Sequence, residues 1–161
     1  MPMTAYPDDQ PALRAPEAGP KMRVIATSRD WTLAEYVCEA GPGDRCFEER
    51  HEVFTIAAVT EGTFRYKADT GTSLMHPGSW LLGNCGSCFE CGHDHSRGDR
   101  CLAFHMRPDY FAEIASSAGG SASYRFEKAL LPATGRSLSL MARAQSIVGH
   151  NDAFQIDEAV T

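Results

Sequence analysis

The chain has 161 residues, of which 43% are hydrophobic, and it carries a formal net charge of −6 at pH 7. This size and composition suit one domain with a single core. The acidic balance argues against a nucleic-acid-binding surface, which needs clustered Lys and Arg to displace counterions. No apolar run approaches the roughly 20 residues that span a bilayer, and the first 20 residues lack the apolar centre of a signal peptide. We therefore expect a cytoplasmic protein without membrane contact, whose cysteines stay reduced.

Residues 1–21 are predicted to form a disordered or loosely docked tail. Few of them could be buried in a core. The stretch is interrupted by prolines, namely Pro2, Pro7, Pro11, Pro16 and Pro20. We therefore place the start of the folded domain at residue 22.

The segment 22–108 has the pattern of a series of short strands. Apolar and polar residues alternate in it, and turn signals such as Pro77-Gly78 recur about every 8–12 residues. The predicted strands cover residues 23–27, 31–39, 51–60, 63–67, 73–75, 80–82, 88–95 and 101–106. This spacing is typical of an antiparallel sandwich or a small barrel.

After Pro108 the apolar residues follow a helical period. The pattern predicts a short helix at 109–116 and a longer one at 136–148. At 100° per residue one face of the longer helix is apolar; it consists of Leu140, Met141, Ala144, Ile147 and Val148. A further helix is predicted at 153–160, and because it has barely two turns we expect the parent polypeptide to continue.

Several landmarks of the strand region occur in a recognisable order. They are His51 before a strand, Glu61-Gly62-x-Phe64, Pro77-Gly78, Leu81-Leu82-Gly83-Asn84, Cys91-Gly92-His93-x-His95 and Gly98-Asp99-x-Cys101. In this order they resemble the N-terminal cupin-type sensor domain of AraC-family transcription regulators, over residues 51–115. The resemblance implies a mainly β fold, a cupin-like antiparallel barrel (double-stranded β-helix or jelly-roll) over 22–108, followed by a helical dimerisation segment over 109–161.

The resemblance also implies a function. It predicts a non-enzymatic domain that senses a small-molecule or metal effector, forms a homodimer and regulates transcription. DNA would be bound only by a C-terminal helix-turn-helix domain that this chain does not contain. The expected ligand pocket involves His51, Phe64 and Trp80.

Cupin enzymes are the principal alternative. They hold a divalent metal with a histidine pair, a nearby glutamate and a later histidine. Here only His51 matches a ligand type, and Thr55 and Ile56 stand where the glutamate would fall. A cupin-type dioxygenase or isomerase is therefore the less favoured interpretation.

The stretch 85–101 holds four of the six cysteines. On a strand, Cys91, His93 and His95 point to one side, and a hairpin turn after them would bring Cys101 beside His93. Two sulfurs and two nitrogens fill a tetrahedral zinc site of the structural or sensory kind.

The ligand set and the chemistry of this stretch each have alternatives. Three ligands on one straight strand lie too far apart, so either a bend at Gly92 is needed or Cys85 or Cys88 replaces one of them. Thiol-based redox sensing, favoured by Arg97 and Arg100, and a hairpin without chemistry are the alternatives. Cys38 and Cys46 are interpreted as core and loop residues, and His105 as a partly buried histidine bonded to backbone.

Overall fold

The structure is a computed structural model that describes residues 19–150. The predicted tail before residue 19 and the helix predicted at 153–160 lie outside the described residues. Within them the elements follow in the order β1 Lys21–Thr27, β2 Trp31–Cys38, β3 Phe47–Arg50, β4 Phe54–Gly62, β5 Phe64–Ala68, β6 Gly71–Met75, β7 Trp80–Gly83, β8 Cys88–Gly92, β9 Asp99–Met106, α1 Pro108–Ser117, β10 Leu130–Leu131 and α2 Gly135–His150.

The strands form two antiparallel sheets. The larger sheet has the order β1-β2-β9-β4-β7-β10, and the smaller one has the order β3-β8-β5-β6. Strand β10 comes from the segment that was predicted to be helical, yet it pairs with β7 in the larger sheet. The predicted mainly β architecture with C-terminal helices is confirmed.

The core consists of two layers, one on each side of the larger sheet. Because side chains alternate along a strand, Leu102 and Phe104 of β9 face one layer while Cys101 and Ala103 face the other. The first layer lies between the sheet and the helices, where Phe54 stacks on Phe111 of α1 with ring centroids 4.0 Å apart. The second layer contains residues from both sheets and therefore lies between them.

Helix α2 covers the first of these layers, which we call the outer layer, with part of its predicted apolar face. Met141 and Ala144 are buried there, and Val148 packs against the same cluster. Leu140, which was predicted on this face, is 53% exposed. The side chain of Ile147 lies outside what the structure describes. No helix of the described part of the chain is long and apolar enough to cross a membrane.

The predicted hairpin between the cysteine-rich strand and the next strand is wrong. Strand β8 pairs with β3 and β5 in the smaller sheet, whereas β9 pairs with β2 and β4 in the larger one. The turn before β9 therefore crosses from one sheet to the other. Gly98 makes this crossover with φ +78°, and its N–H donates to the carbonyl of Ala40 at 2.8 Å.

Candidate functional site: a cavity between the sheets and a cysteine–histidine cluster

A cavity of about 410 Å³ lies between the two sheets. Its volume falls within the range of about 300–1,000 Å³ that is usual for small-molecule sites. Aromatic and aliphatic side chains supply much of its wall, namely Phe47, Val53, Ala57, Phe64, Leu81, Phe89 and Ala103. Polar and charged side chains also line it, namely Tyr36, Glu49, Arg50, His51, Glu52, Thr55, Asp99 and His105.

His51 enters the cavity from the loop that precedes β4. Its Nε2 lies 2.9 Å from the hydroxyl of Tyr66, and its ring stacks on Phe89 with centroids 4.2 Å apart. The ring also lies directly against the backbone of Gly83 on β7, where any Cβ would collide with Nε2. The glycine that ends β7 is therefore what allows the imidazole to occupy this position.

His105 on β9 makes the second polar centre. Its Nε2 lies 2.8 Å from the Tyr36 hydroxyl, and its Nδ1 lies 3.0 Å from Thr55 Oγ1. Its partners are thus side chains from both neighbouring strands, not the backbone groups that we predicted. Because these strands flank β9 in the sheet, the imidazole is held in one orientation.

Both imidazoles are neutral at pH 7. Burial lowers the pKa of His51 to about 4, and the nearby His105 contributes to this shift. Burial alone lowers the pKa of His105 to about 4. In the same wall, burial raises the pKa of the Glu49 carboxyl, and burial together with Glu49 raises the pKa of Tyr36 to about 12. The cavity therefore offers two neutral imidazoles and the Tyr36 hydroxyl as hydrogen-bonding groups in a mostly apolar wall, which also includes the charged residues Arg50 and Glu52.

A cluster of metal-ligand side chains lies at the end of the sheets where β9 begins. Candidate ligand atoms of Cys38, His93 and Asp99 all lie within 4.8 Å of one another. Cys38 ends β2 and is the pairing partner of Asp99 at the start of β9, while His93 directly follows β8 of the other sheet. Within this cluster, His93 Nε2 lies 2.5 Å from Asp99 Oδ2.

Two further buried cysteines adjoin this cluster. Cys101 Sγ lies 3.7 Å from Asp99 Oδ1. Burial, reinforced by the Asp99 carboxylate, raises the pKa of Cys91 and of Cys101 well above the usual range. Burial also raises the pKa of Cys38. As thiols these groups are protonated at pH 7, which is the opposite of what a reactive redox cysteine requires.

A family model described as the AraC-like ligand binding domain matches residues 32–158. The chain belongs to this family. The two antiparallel sheets of this AraC-like domain, followed by helices, agree with the mainly β fold that was predicted. No curated protein matches the chain.

Among solved structures, this AraC-like domain is similar to several cupin proteins. The cupin domain of an XRE family transcriptional regulator from Enterobacter cloacae is 12% identical, with a TM-score of 0.47 over 56% of this chain and 98% of that chain. The Cnp3 cupin domain of Schizosaccharomyces pombe is 9% identical, with a TM-score of 0.48 over 63% and 72%. The DMSP lyase DddQ of Ruegeria pomeroyi is 12% identical, with a TM-score of 0.47 over 55% and 47%.

The residues predicted for the ligand pocket occupy two different places. His51 and Phe64 line the cavity. Trp80 is buried in the outer layer of the AraC-like domain, among residues such as Phe54 and Leu102. Its neighbour Leu81 faces the cavity instead, because successive side chains of β7 point to opposite sides of the sheet.

The residues predicted for zinc binding are also divided. His93 joins the cluster with Cys38 and Asp99, and Cys91 and Cys101 are buried. His95 is exposed. Of the two proposed substitutes, Cys88 is exposed, and the thiol of Cys85 donates to the carbonyl of Glu52 at 3.2 Å.

Sequence reasoning passed over two members of the cluster. Cys38 was interpreted as a core residue, and Asp99 was noted only as part of the Gly98-Asp99-x-Cys101 landmark. The alternation of Asp99 and Cys101 on one strand was the signal for the second of these. No pattern along the chain pointed to Cys38, because its pairing with Asp99 depends on the strand order.

Proposed function

We propose that this AraC-like domain senses a small, largely apolar and uncharged effector in the cavity between its sheets. The observation that supports this most is the pair of neutral histidines, His51 and His105, each hydrogen-bonded to a tyrosine in a mostly apolar wall. The domain acts in the cytoplasm as a homodimer and reaches DNA through a separate C-terminal domain. A zinc ion held by cysteine and histidine is the second part of the proposal.

The wall chemistry defines the effector class. A molecule that enters the cavity interrupts hydrogen bonds of buried groups, and each group left unpaired costs about 1–3 kcal/mol. The effector therefore carries one or two hydrogen-bonding groups that reach His51 or His105, on a body that fits against Phe64 and Leu81. To regulate, it must bind two arrangements of the domain with different affinities.

The regulator is favoured over a cupin enzyme by the donor set of the cavity. Within residues 19–150, neither His51 nor His105 belongs to a group of three ligand atoms close enough to hold a metal ion. His51 is held by the Tyr66 hydroxyl, and His105 is held by the hydroxyls of Tyr36 and Thr55. This arrangement suits hydrogen bonding to a ligand better than coordination of a catalytic metal.

Filling the cavity is expected to abolish effector binding. Ala103 lines the cavity and is 2% exposed. In Ala103→Leu the larger side chain would therefore fill part of the cavity in which the effector is proposed to bind. A thermal-shift screen of small uncharged aromatic and aliphatic compounds should yield hits that raise the melting temperature by about 5–10 °C at a hundredfold excess over Kd. The variant should bind those hits at least about tenfold more weakly, whereas Ala142→Leu on the exposed side of α2 should bind them normally. Equal shifts in Ala103→Leu and the parent protein would place the binding site elsewhere.

The homodimer is expected to depend on the exposed leucines of α2. Leu138 and Leu140 are 48% and 53% exposed and flank the buried stripe of this helix. Leu140→Glu should therefore shift the protein towards monomer in multi-angle light scattering, with a dimer Kd raised at least about tenfold. Ser139→Glu puts the same charge on the exposed side opposite the stripe, about 100° around the helix from each leucine, and should leave the dimer intact. A monomeric parent protein would remove this part of the proposal.

A further inference from the structure

The cluster around Asp99 brings a carboxyl group, two thiols and an imidazole together in a buried place. The side chains of His93 and Asp99 are only 3% and 8% exposed, and Cys38 and Cys101 are also buried. Three of these four groups bind a cation when they lose a proton, and the fourth offers an imidazole nitrogen. Soft sulfur together with imidazole and a carboxylate is a donor set that favours Zn²⁺.

The backbone brings these donors together from three directions. Register pairing sets Cys38 beside Asp99, and strand alternation sets Cys101 on the same side as Asp99. The crossover after β8 adds His93 from the smaller sheet. The site is thus built by the tertiary fold and not by a single hairpin.

The distances between the donor atoms can be compared with those around a zinc ion that has four protein ligands in tetrahedral geometry. Zinc bonds of about 2.0–2.3 Å place ligand atoms about 3.3–3.8 Å apart. The atoms of Cys38, His93 and Asp99 lie within 4.8 Å of one another. To reach that geometry the separations from Cys38 would shrink by no more than about 1.5 Å. His93 and Asp99, which are hydrogen-bonded at 2.5 Å, would move apart by about 1 Å. Cys101 Sγ lies 3.7 Å from Asp99 Oδ1. It is not in the group whose donor atoms all lie within 4.8 Å of one another, so its side chain has to move towards Cys38 and His93 to complete the tetrahedron.

We propose that Cys38, His93, Asp99 and Cys101 form a zinc site that joins the two sheets at this end of the domain. The inference deepens the zinc part of the proposed function and replaces the ligand set expected from the sequence. Cys91 is a neighbour of the site and not a ligand. On binding, the two thiols and the His93–Asp99 pair release their protons, and Zn²⁺ occupies the space between the four donors.

Metal analysis of purified full chain tests this directly. After equilibration with zinc and removal of the excess, the parent protein should retain about one equivalent. Cys38→Ser, Asp99→Asn and Cys101→Ser should each lower zinc affinity at least about tenfold, with circular dichroism used to confirm that each variant is folded. Cys91→Ser and His95→Gln should retain the ion. With Co²⁺ as the probe, Cys38→Ser should also weaken the sulfur-to-metal charge-transfer band, which a merely structural role would not change.

Three outcomes would overturn the assignment: no bound zinc in the parent protein, loss of zinc in His95→Gln, or full retention in Cys38→Ser. None of them affects the effector proposal, which the Ala103→Leu comparison tests separately. Conversely, if the protein binds zinc as described but binds no small molecule, the zinc site stands and the effector proposal is wrong.

Discussion

Lowering the pH from 7 to 4.5 is expected to reduce the free energy of unfolding by about 2–3 kcal/mol for each of His51 and His105. Burial lowers both pKa values from 6.5 to about 4 in the folded domain. In the unfolded chain they return to about 6.5. Between these values the unfolded state binds more protons than the folded state, so the stability that both groups contribute above pH 6.5 is lost as the pH falls towards 4.

Two carboxyl groups act in the opposite direction. Burial raises the pKa of Asp99 and of Glu49, so both become protonated more readily in the folded state as the pH falls, which offsets part of the loss. Urea unfolding of the parent protein at pH 7 and pH 4.5 measures the net change. In the double variant His51→Gln/His105→Gln the fall in stability over this range should be smaller by several kcal/mol. The same pH dependence in parent and variant would contradict the neutral, buried state of these histidines.

Gly62→Ala is expected to cost about 3 kcal/mol or more in stability. Gly62 has φ +77°, a backbone conformation that costs a residue with a side chain about 1–2 kcal/mol. An added Cβ would also lie 2.7 Å from the Cα of Asp99 and closer still to the carbonyl oxygen of Gly98. Since these are backbone atoms, β4 and β9 would have to separate at the point where Asp99 joins the cluster with Cys38 and His93.

Gly43→Ala is the matched control for this effect. Gly43 has a similar φ of +88°, but a Cβ there meets nothing within 4 Å. Gly43→Ala should therefore lower the free energy of unfolding only by the cost of the positive φ, about 1–2 kcal/mol. Urea unfolding of both variants separates strain from collision. Equal losses of stability at the two positions would show that β4 and β9 are not tightly packed here. Of the two variants, only Gly62→Ala should also bind zinc more weakly than the parent protein.

Much of the fold could be predicted from local patterns. Alternation along residues such as Leu102, Ala103 and Phe104 marks a strand with two buried faces, and the change to a helical period after Pro108 locates both described helices. Strands β3 and β10 were missed for physical reasons. Three of the four residues of β3 are charged, and β10 has two residues, which is too short to show a period.

The site required information that local patterns do not carry. Which strand lies beside β9 is decided by the packing of both sheets, so the pairing of Cys38 with Asp99 could not be inferred from spacing. The expected hairpin failed because β3 and β5 occupy both edges of β8. Trp80 shows the same limit, since a strand buried on both faces gives no signal for which face meets a ligand.

The central claim, that the effector binds between the sheets, is tested most directly by a ¹³C-methyl NMR titration with a compound from the thermal-shift screen. If the effector binds there, the methyl signals that change should be those of Ala57, Leu81 and Ala103, which line the cavity. Changes confined to Leu33 and Leu102 of the outer layer, with the cavity methyls unaffected, would contradict it.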